Sequence, residues 1–169
     1  MVMIIAVLTV FLLLSCYSDI SRRLIPNYLT FGLMITGLAY NTWAGPGWYF
    51  SLLGIGTGFV LFLLPFLFTG MGAGDVKLMM GVGSVLGFQQ TIVIGIISSI
   101  LAALYALIKF ASKGKHKELI HSTIGQASYI LTKTHLNDFS RENIEGDTIP
   151  FAVLITLSTF SVLLWGWLT

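Results

Sequence analysis

Apolar runs of about membrane-spanning length alternate with short polar turns along most of the chain. The first run, residues 1–17, carries no charge, and only Thr9 and Ser15 interrupt it. A span needs about 20 residues. This helix is therefore expected to run on to between Asp19 and Ser21, leaving Asp19 at the membrane boundary. A cleaved signal peptide, or a lipoprotein box at Leu13–Cys16, would follow a basic start, and Met1–Ile5 has none. The turn Asp19–Asn27 holds Arg22, Arg23 and Pro26. Pro26 disfavours helix at Ile25, and Asn27 is placed to cap a second helix from Tyr28 to about Trp43. An uncharged turn, Ala44–Trp48, leads to a third helix from Tyr49 to Phe68. Gly54 and Gly58 give that helix a small-xxx-small face for close packing.

Three glycines, Gly70, Gly72 and Gly74, then lead into Asp75, with Lys77 two places later. A fourth segment, Val76 to about Phe88, carries Gly83 and Gly87 at the same four-residue spacing. Gln89-Gln90 reads as a short polar turn, and Thr91 to about Ile108 as a fifth helix. Residues 109–149 form the one long polar region. Its apolar positions Leu119, Ile120, Ile124, Tyr129, Ile130 and Leu131 suit either an amphipathic helix on the inner membrane surface or a solvated loop. Pro150 suits the first turn of a last helix, Phe151–Leu168. The expected fold is an all-α integral membrane protein, one domain over 1–169. It is a polytopic bundle of six transmembrane helices with a long cytoplasmic loop between the fifth and sixth.

Composition agrees. The chain is 56% hydrophobic and 9% charged, with mean hydropathy +0.89, where a soluble domain carries about 25% charged residues. A net charge of +2 gives nucleic-acid binding no support. The single cysteine, Cys16, excludes an internal disulfide and a cysteine-rich zinc site. The basic residues set the orientation. With the N-terminus outside and six crossings, the inner loops are 18–27, 69–77 and 109–149. All 9 Lys and Arg residues fall in these loops or at their edges, as the positive-inside rule requires. Asp19 and Asp75 then lie at the same, cytoplasmic, membrane face.

Of 7 acidic residues, only Asp19 and Asp75 are attached to spanning segments; the others lie in the long polar loop. An acid at the mouth of a membrane helix is costly unless it has a partner or a task. Asp75 can be read simply as an acid that favours a helix N-terminus. Two carboxyl groups brought together in a poorly hydrated site can instead share a proton. One then draws a proton from water and the other protonates the carbonyl oxygen or the departing amine. The spacing shows only a shared depth, so a structural pair and an ion- or proton-binding pair in a small transporter stay open. His116, His121 and His135 all fall in the polar loop, away from any zinc-site spacing and from the serines of the spans, and no metal ligand set or cofactor motif emerges. The glycines are not followed by the Gly-Lys-Ser/Thr of a phosphate loop.

Gly72-Ala73-Gly74-Asp75-Val76-Lys77-Leu78 resembles the Gly-x-Gly-Asp-x-Lys-Leu signature of the type IV prepilin peptidases, membrane aspartic proteases of the GxGD type. Gly83 and Gly87 fall where that family continues with glycines. Asp19 with Ile25-Pro26-Asn27 resembles its first aspartate motif, and Thr148–Ala152, with Pro150, its final-helix motif. The resemblance implies an aspartic endopeptidase that removes the leader from prepilin or pseudopilin precursors at the cytoplasmic face of the inner membrane. It implies Asp19 and Asp75 as the catalytic pair, and Gly72, Gly74, Lys77, Pro26, Asn27 and Pro150 as supporting residues. No metal or other cofactor is implied. The partners would be the lipid bilayer and a precursor with a short basic leader ending in glycine before an apolar helix, together with pilus or secretion machinery. Longer members of the family begin with a domain bearing paired Cys-x-x-Cys motifs, and many also methylate the new N-terminus. With one cysteine, this chain resembles the short form found with tight-adherence (Flp-type) pili, which carries no expectation of N-methyltransferase activity. A transporter, or a non-catalytic secretion-system subunit, is the competing reading.

Overall fold

The structure is a computed structural model that describes residues 2–69, 71–113 and 151–168. Gly70, most of the long polar loop with its expected amphipathic helix, and Pro150 lie outside the described residues. The described residues are all helical apart from their turns. They form α1 (Val2–Arg22), α2 (Asn27–Trp43), α3 (Trp48–Thr69), α4 (Ala73–Lys113) and α5 (Phe151–Leu168). Of these, α1, α3 and α4 contain stretches long and apolar enough to cross a membrane, and α5 holds a shorter apolar stretch, Phe151–Trp165.

One expectation is corrected here. The expected fourth and fifth helices both lie within α4, but they meet at Gly87 and not at a Gln89-Gln90 turn. The described residues thus count five helical elements, of which α4 covers two of the six helices expected. Gly87 has φ 76° and ψ 177°, a conformation open to glycine and strained for any side chain. The two glutamines carry on as helix directly after it. The bend is a reversal. A Cβ on Gly95 would sit 3.5 Å from Met79 Cε, yet residues sixteen positions apart lie about 24 Å apart in a straight helix. The arms 73–86 and 88–113 thus lie side by side.

The expected glycine face is real. A Cβ on Gly54 would strike the carbonyl of Gly83, and a Cβ on Gly83 the carbonyl of Gly54, so α3 and the first arm of α4 touch backbone to backbone. Gly58 extends the seam: a Cβ there would lie 2.8 Å from Met79 O. Without a hydrophobic drive between helices in lipid, such contact is what holds them. Around the seam lies a compact core of Leu8 and Leu12 from α1, Leu33 from α2, Phe62 from α3, Leu78, Met79, Val82 and Ile94 from α4, and Ile155 from α5. Val10, Leu13, Ile35, Val60, Leu64, Ile100 and Leu164 point outward and are exposed, as lipid-facing residues must be.

The reversal interrupts helical hydrogen bonding just before Gly87, and side chains fill the gap. Asn41 of α2 donates from Nδ2 to Ser84 O at 2.9 Å and to Ser51 Oγ at 2.9 Å. Ser51 of α3 donates to Ser84 O at 2.7 Å. Three helices are joined at one buried point, and its polar atoms are paired.

Candidate active site

The other end of the bundle carries the acids. Asp19 lies in the last turn of α1. That helix closes with Arg23 in a left-handed conformation, φ 52°, its N–H donating to Asp19 O at 2.8 Å. Ser18 Oγ donates to Leu24 O at 2.8 Å and folds the turn back over the helix end. Pro26, with φ −61° and ψ 138°, then directs the chain into α2. Asn27 does not cap α2 as expected. It is the first helical residue, Pro26 holds the cap position, and no side-chain capping bond forms.

Asp75 sits in the first turn of α4, its N–H donating to Gly72 O at 3.1 Å. Asp75 is buried, 8% exposed. Gly72 lies against it: a Cβ there would be 3.2 Å from Asp75 Oδ2. Gly74 lies against the α1–α2 turn, where a Cβ would be 3.1 Å from Ile25 Cβ. Gly72 thus brings backbone close to Asp75, and Gly74 brings it close to the α1–α2 turn.

Asp19 and Asp75, fifty-six positions apart in sequence, line one cavity of about 510 Å³. Its other walls are the α1–α2 turn, with Ser18, Arg22, Arg23, Ile25, Pro26 and Asn27, and the segment from Gly72 to Lys77. Lys77 bridges the two walls, Nζ donating to Asn27 Oδ1 at 2.9 Å and lying 5.5 Å from the centre of the Phe31 ring.

The two acids are held differently. Asp19, half-buried, accepts a hydrogen bond on Oδ2 from Ala152 N–H at 3.2 Å. Ala152 lies in the first turn of α5, where backbone N–H groups have no helical partner and favour an anion. Cys16, one turn before Asp19, anchors the same place, its Sγ 3.0 Å from Thr156 Oγ1 and 3.4 Å from Ala152 O. Asp75 Oδ1 has no hydrogen-bond partner among the described residues. The one other buried side-chain atom in that condition is Ser15 Oγ, a single helical turn from Asp19. Buried polar atoms without partners are rare in native proteins and call for a functional reason.

Of the residues singled out in the sequence, Asp19, Asp75, Gly72, Gly74, Lys77, Pro26 and Asn27 all line this cavity. Pro150 lies outside the described residues, although its neighbour Ala152 touches Asp19. The Ala152 contact and the seating of Ile25 on Gly74 had no signal beyond the motifs themselves, since a backbone N–H and an apolar turn residue look alike everywhere in sequence.

The model of the type IV leader peptidase family matches residues 6–107, a stretch that holds both aspartates. The chain belongs to that family. Within it, the chain is 30% identical over 118 residues to a prepilin leader peptidase/N-methyltransferase of Neisseria gonorrhoeae, covering 65% of this chain and 41% of that protein. It is 39% identical over 103 residues to prepilin peptidase EppA of Methanothermobacter thermautotrophicus, covering 54% of this chain and 26% of that one. A prepilin leader peptidase/N-methyltransferase of Aeromonas salmonicida aligns with 94% of the chain at 26% identity, over 48% of its own length. The chain thus spans less than half the length of each of these relatives. No solved structure matches it.

Proposed function

We propose that this leader peptidase family member is an aspartic endopeptidase that removes the leader from prepilin-like precursors, with Asp19 and Asp75 as its catalytic pair. The observation that carries the reading is the common cavity of two carboxyl groups from distant segments. Membership in the family supports the substrate class.

The chemistry needs one ionised and one protonated carboxyl group. The ionised group takes a proton from water as the water oxygen attacks the scissile carbonyl carbon. The protonated group gives its proton to the carbonyl oxygen, forming a neutral tetrahedral diol. Proton transfer to the amide nitrogen then lets the C–N bond break, releasing the leader acid and the new amine. Each proton lost by one carboxyl group is regained through the other, so the pair returns to its starting state. The contact from Ala152 N–H fixes Asp19 in place, while Asp75 Oδ1 is buried with no hydrogen-bond partner among the described residues.

The topology that suits this reaction has six crossings, the two arms of α4 counting as separate spans, with the N-terminus outside. The side-by-side packing of the arms supports it. So does the presence of Arg22, Arg23 and Lys77 around the acid cavity, since the orientation rule expects basic residues at a cytoplasmic end. A precursor could then keep its apolar helix in the inner membrane while its leader reaches the aspartates. A transporter would use the same two acids, but nothing in the family relationship favours it.

Co-expression with a candidate prepilin tests the proposal. Wild type should convert precursor to mature protein, and Asp75→Asn should leave only precursor at equal expression. Conversion by Asp75→Asn at the wild-type rate would refute the assignment.

A further inference from the structure

We propose that Asn27 and Lys77 form a clasp that sets the spacing of the two carboxyl groups, which makes both of them positioning residues. The inference rests on the peptidase reading above and goes further by giving the pair a task.

Among the described residues, the α1–α2 turn leads from Asp19 along the cavity toward the wall that carries Asp75. It meets that wall at two points, and they bracket Asp75 in sequence. On one side Ile25 packs against Gly74. On the other, Asn27 receives Lys77 Nζ at 2.9 Å. The first contact is apolar and limits how closely the walls approach. The second is directional and limits how far they slide or part.

The choice of acceptor matters. Lys77 shares its cavity with two carboxyl groups, yet its ammonium is held by a neutral amide oxygen and by the face of Phe31. Asn27 and Phe31 are four positions apart on α2 and so lie on one helix face. That face supplies a ready cradle for a cation. The lysine thereby joins the walls without bringing an anionic partner beside the aspartates, and without engaging either aspartate in an ion pair. A single exposed bond of this kind adds little to global stability. Its effect falls on geometry, where an error of about 1 Å can cost a hundredfold in rate.

The test is steady-state cleavage of a synthetic peptide, a basic leader ending in glycine followed by an apolar segment, by the detergent-solubilised full chain. Asn27→Ala and Lys77→Met should each lower kcat roughly 10- to 100-fold with KM within about twofold of wild type. The double variant should fall within about twofold of the poorer single variant, because both changes break one interaction. Asn27→Gln, which keeps a neutral amide oxygen for the ammonium, should retain most of the wild-type kcat, and melting temperatures should stay close to wild type. Three results would overturn the clasp: wild-type kcat in Asn27→Ala, multiplied losses in the double variant, or a raised KM confined to Lys77→Met, which would mean the ammonium serves substrate directly. If Lys77→Met does not fold, the Asn27→Ala and Asn27→Gln pair decides alone. The peptidase reading is judged separately by wild type against Asp75→Asn with the same peptide.

Discussion

The two ends of this bundle treat buried polar groups in opposite ways. At the bend, Asn41, Ser51 and Ser84 meet within a buried knot where donors and carbonyls satisfy one another. At the acid end, Asp75 is almost fully buried with Oδ1 unpaired, in a cavity large enough to admit other molecules. A satisfied network fixes one arrangement of its helices. An unsatisfied carboxyl group costs stability and is kept where it does something. The bend end is therefore read as scaffold and the acid end as working site.

That contrast predicts crossed effects. The largest is on cleavage: Asp75→Asn should reduce it by roughly 10²- to 10⁴-fold, the usual contribution of a positioned acid or base. The same change should leave the melting temperature in detergent unchanged or raised, since it removes a buried carboxyl group with an unpaired oxygen. A marked fall in melting temperature would show that Asp75 is structural, and would erase the distinction between the ends.

Next in size is the helix seam. Gly83→Ala drives a methyl group into the carbonyl of Gly54 and should destabilise the fold by about 1–3 kcal/mol or more. Thermal unfolding followed by circular dichroism would check this; wild-type stability would mean that the two backbones are not in contact. Asn41→Leu should cost about 1–3 kcal/mol by leaving the Ser84 carbonyl without that donor. Cleavage per folded molecule should hold for Asn41→Leu, and a selective loss of activity would tie the bend to the chemistry.

The smallest effect sharpens the acid end alone. Cleavage should follow a bell-shaped pH profile, falling at low pH when both carboxyl groups are protonated and at high pH when both are ionised. A rate flat across acid and neutral pH would count against a carboxyl pair.

Much of this was legible in the chain. The apolar runs give α1, α2, α3 and α5 to within a few residues, because lipid demands long uninterrupted helices. The motifs around Asp19 and Asp75 led to one cavity. What failed did so for physical reasons. Gln89-Gln90 looked like a turn because it is polar, but the reversal needed a positive φ, and Gly87 supplied it two residues earlier. Gly83 and Gly87, four residues apart, both lie against Gly54 of α3, but the spacing did not show that Gly87 also makes the bend. Asn27 looked like a cap because its amide suits one, but Lys77 claimed its oxygen from across the cavity. Nothing local marks Asn41 as the partner of Ser84, since that pairing exists only once three helices have met.

The decisive measurement is the cleavage rate of purified wild type, Asp19→Asn, Asp75→Asn and the double variant on one prepilin-like peptide. Groups that act as a unit give non-additive losses. Each single change should remove activity almost completely, and the double variant should be no slower than the singles. Substantial cleavage by either single variant, or losses that multiply, would contradict a catalytic pair.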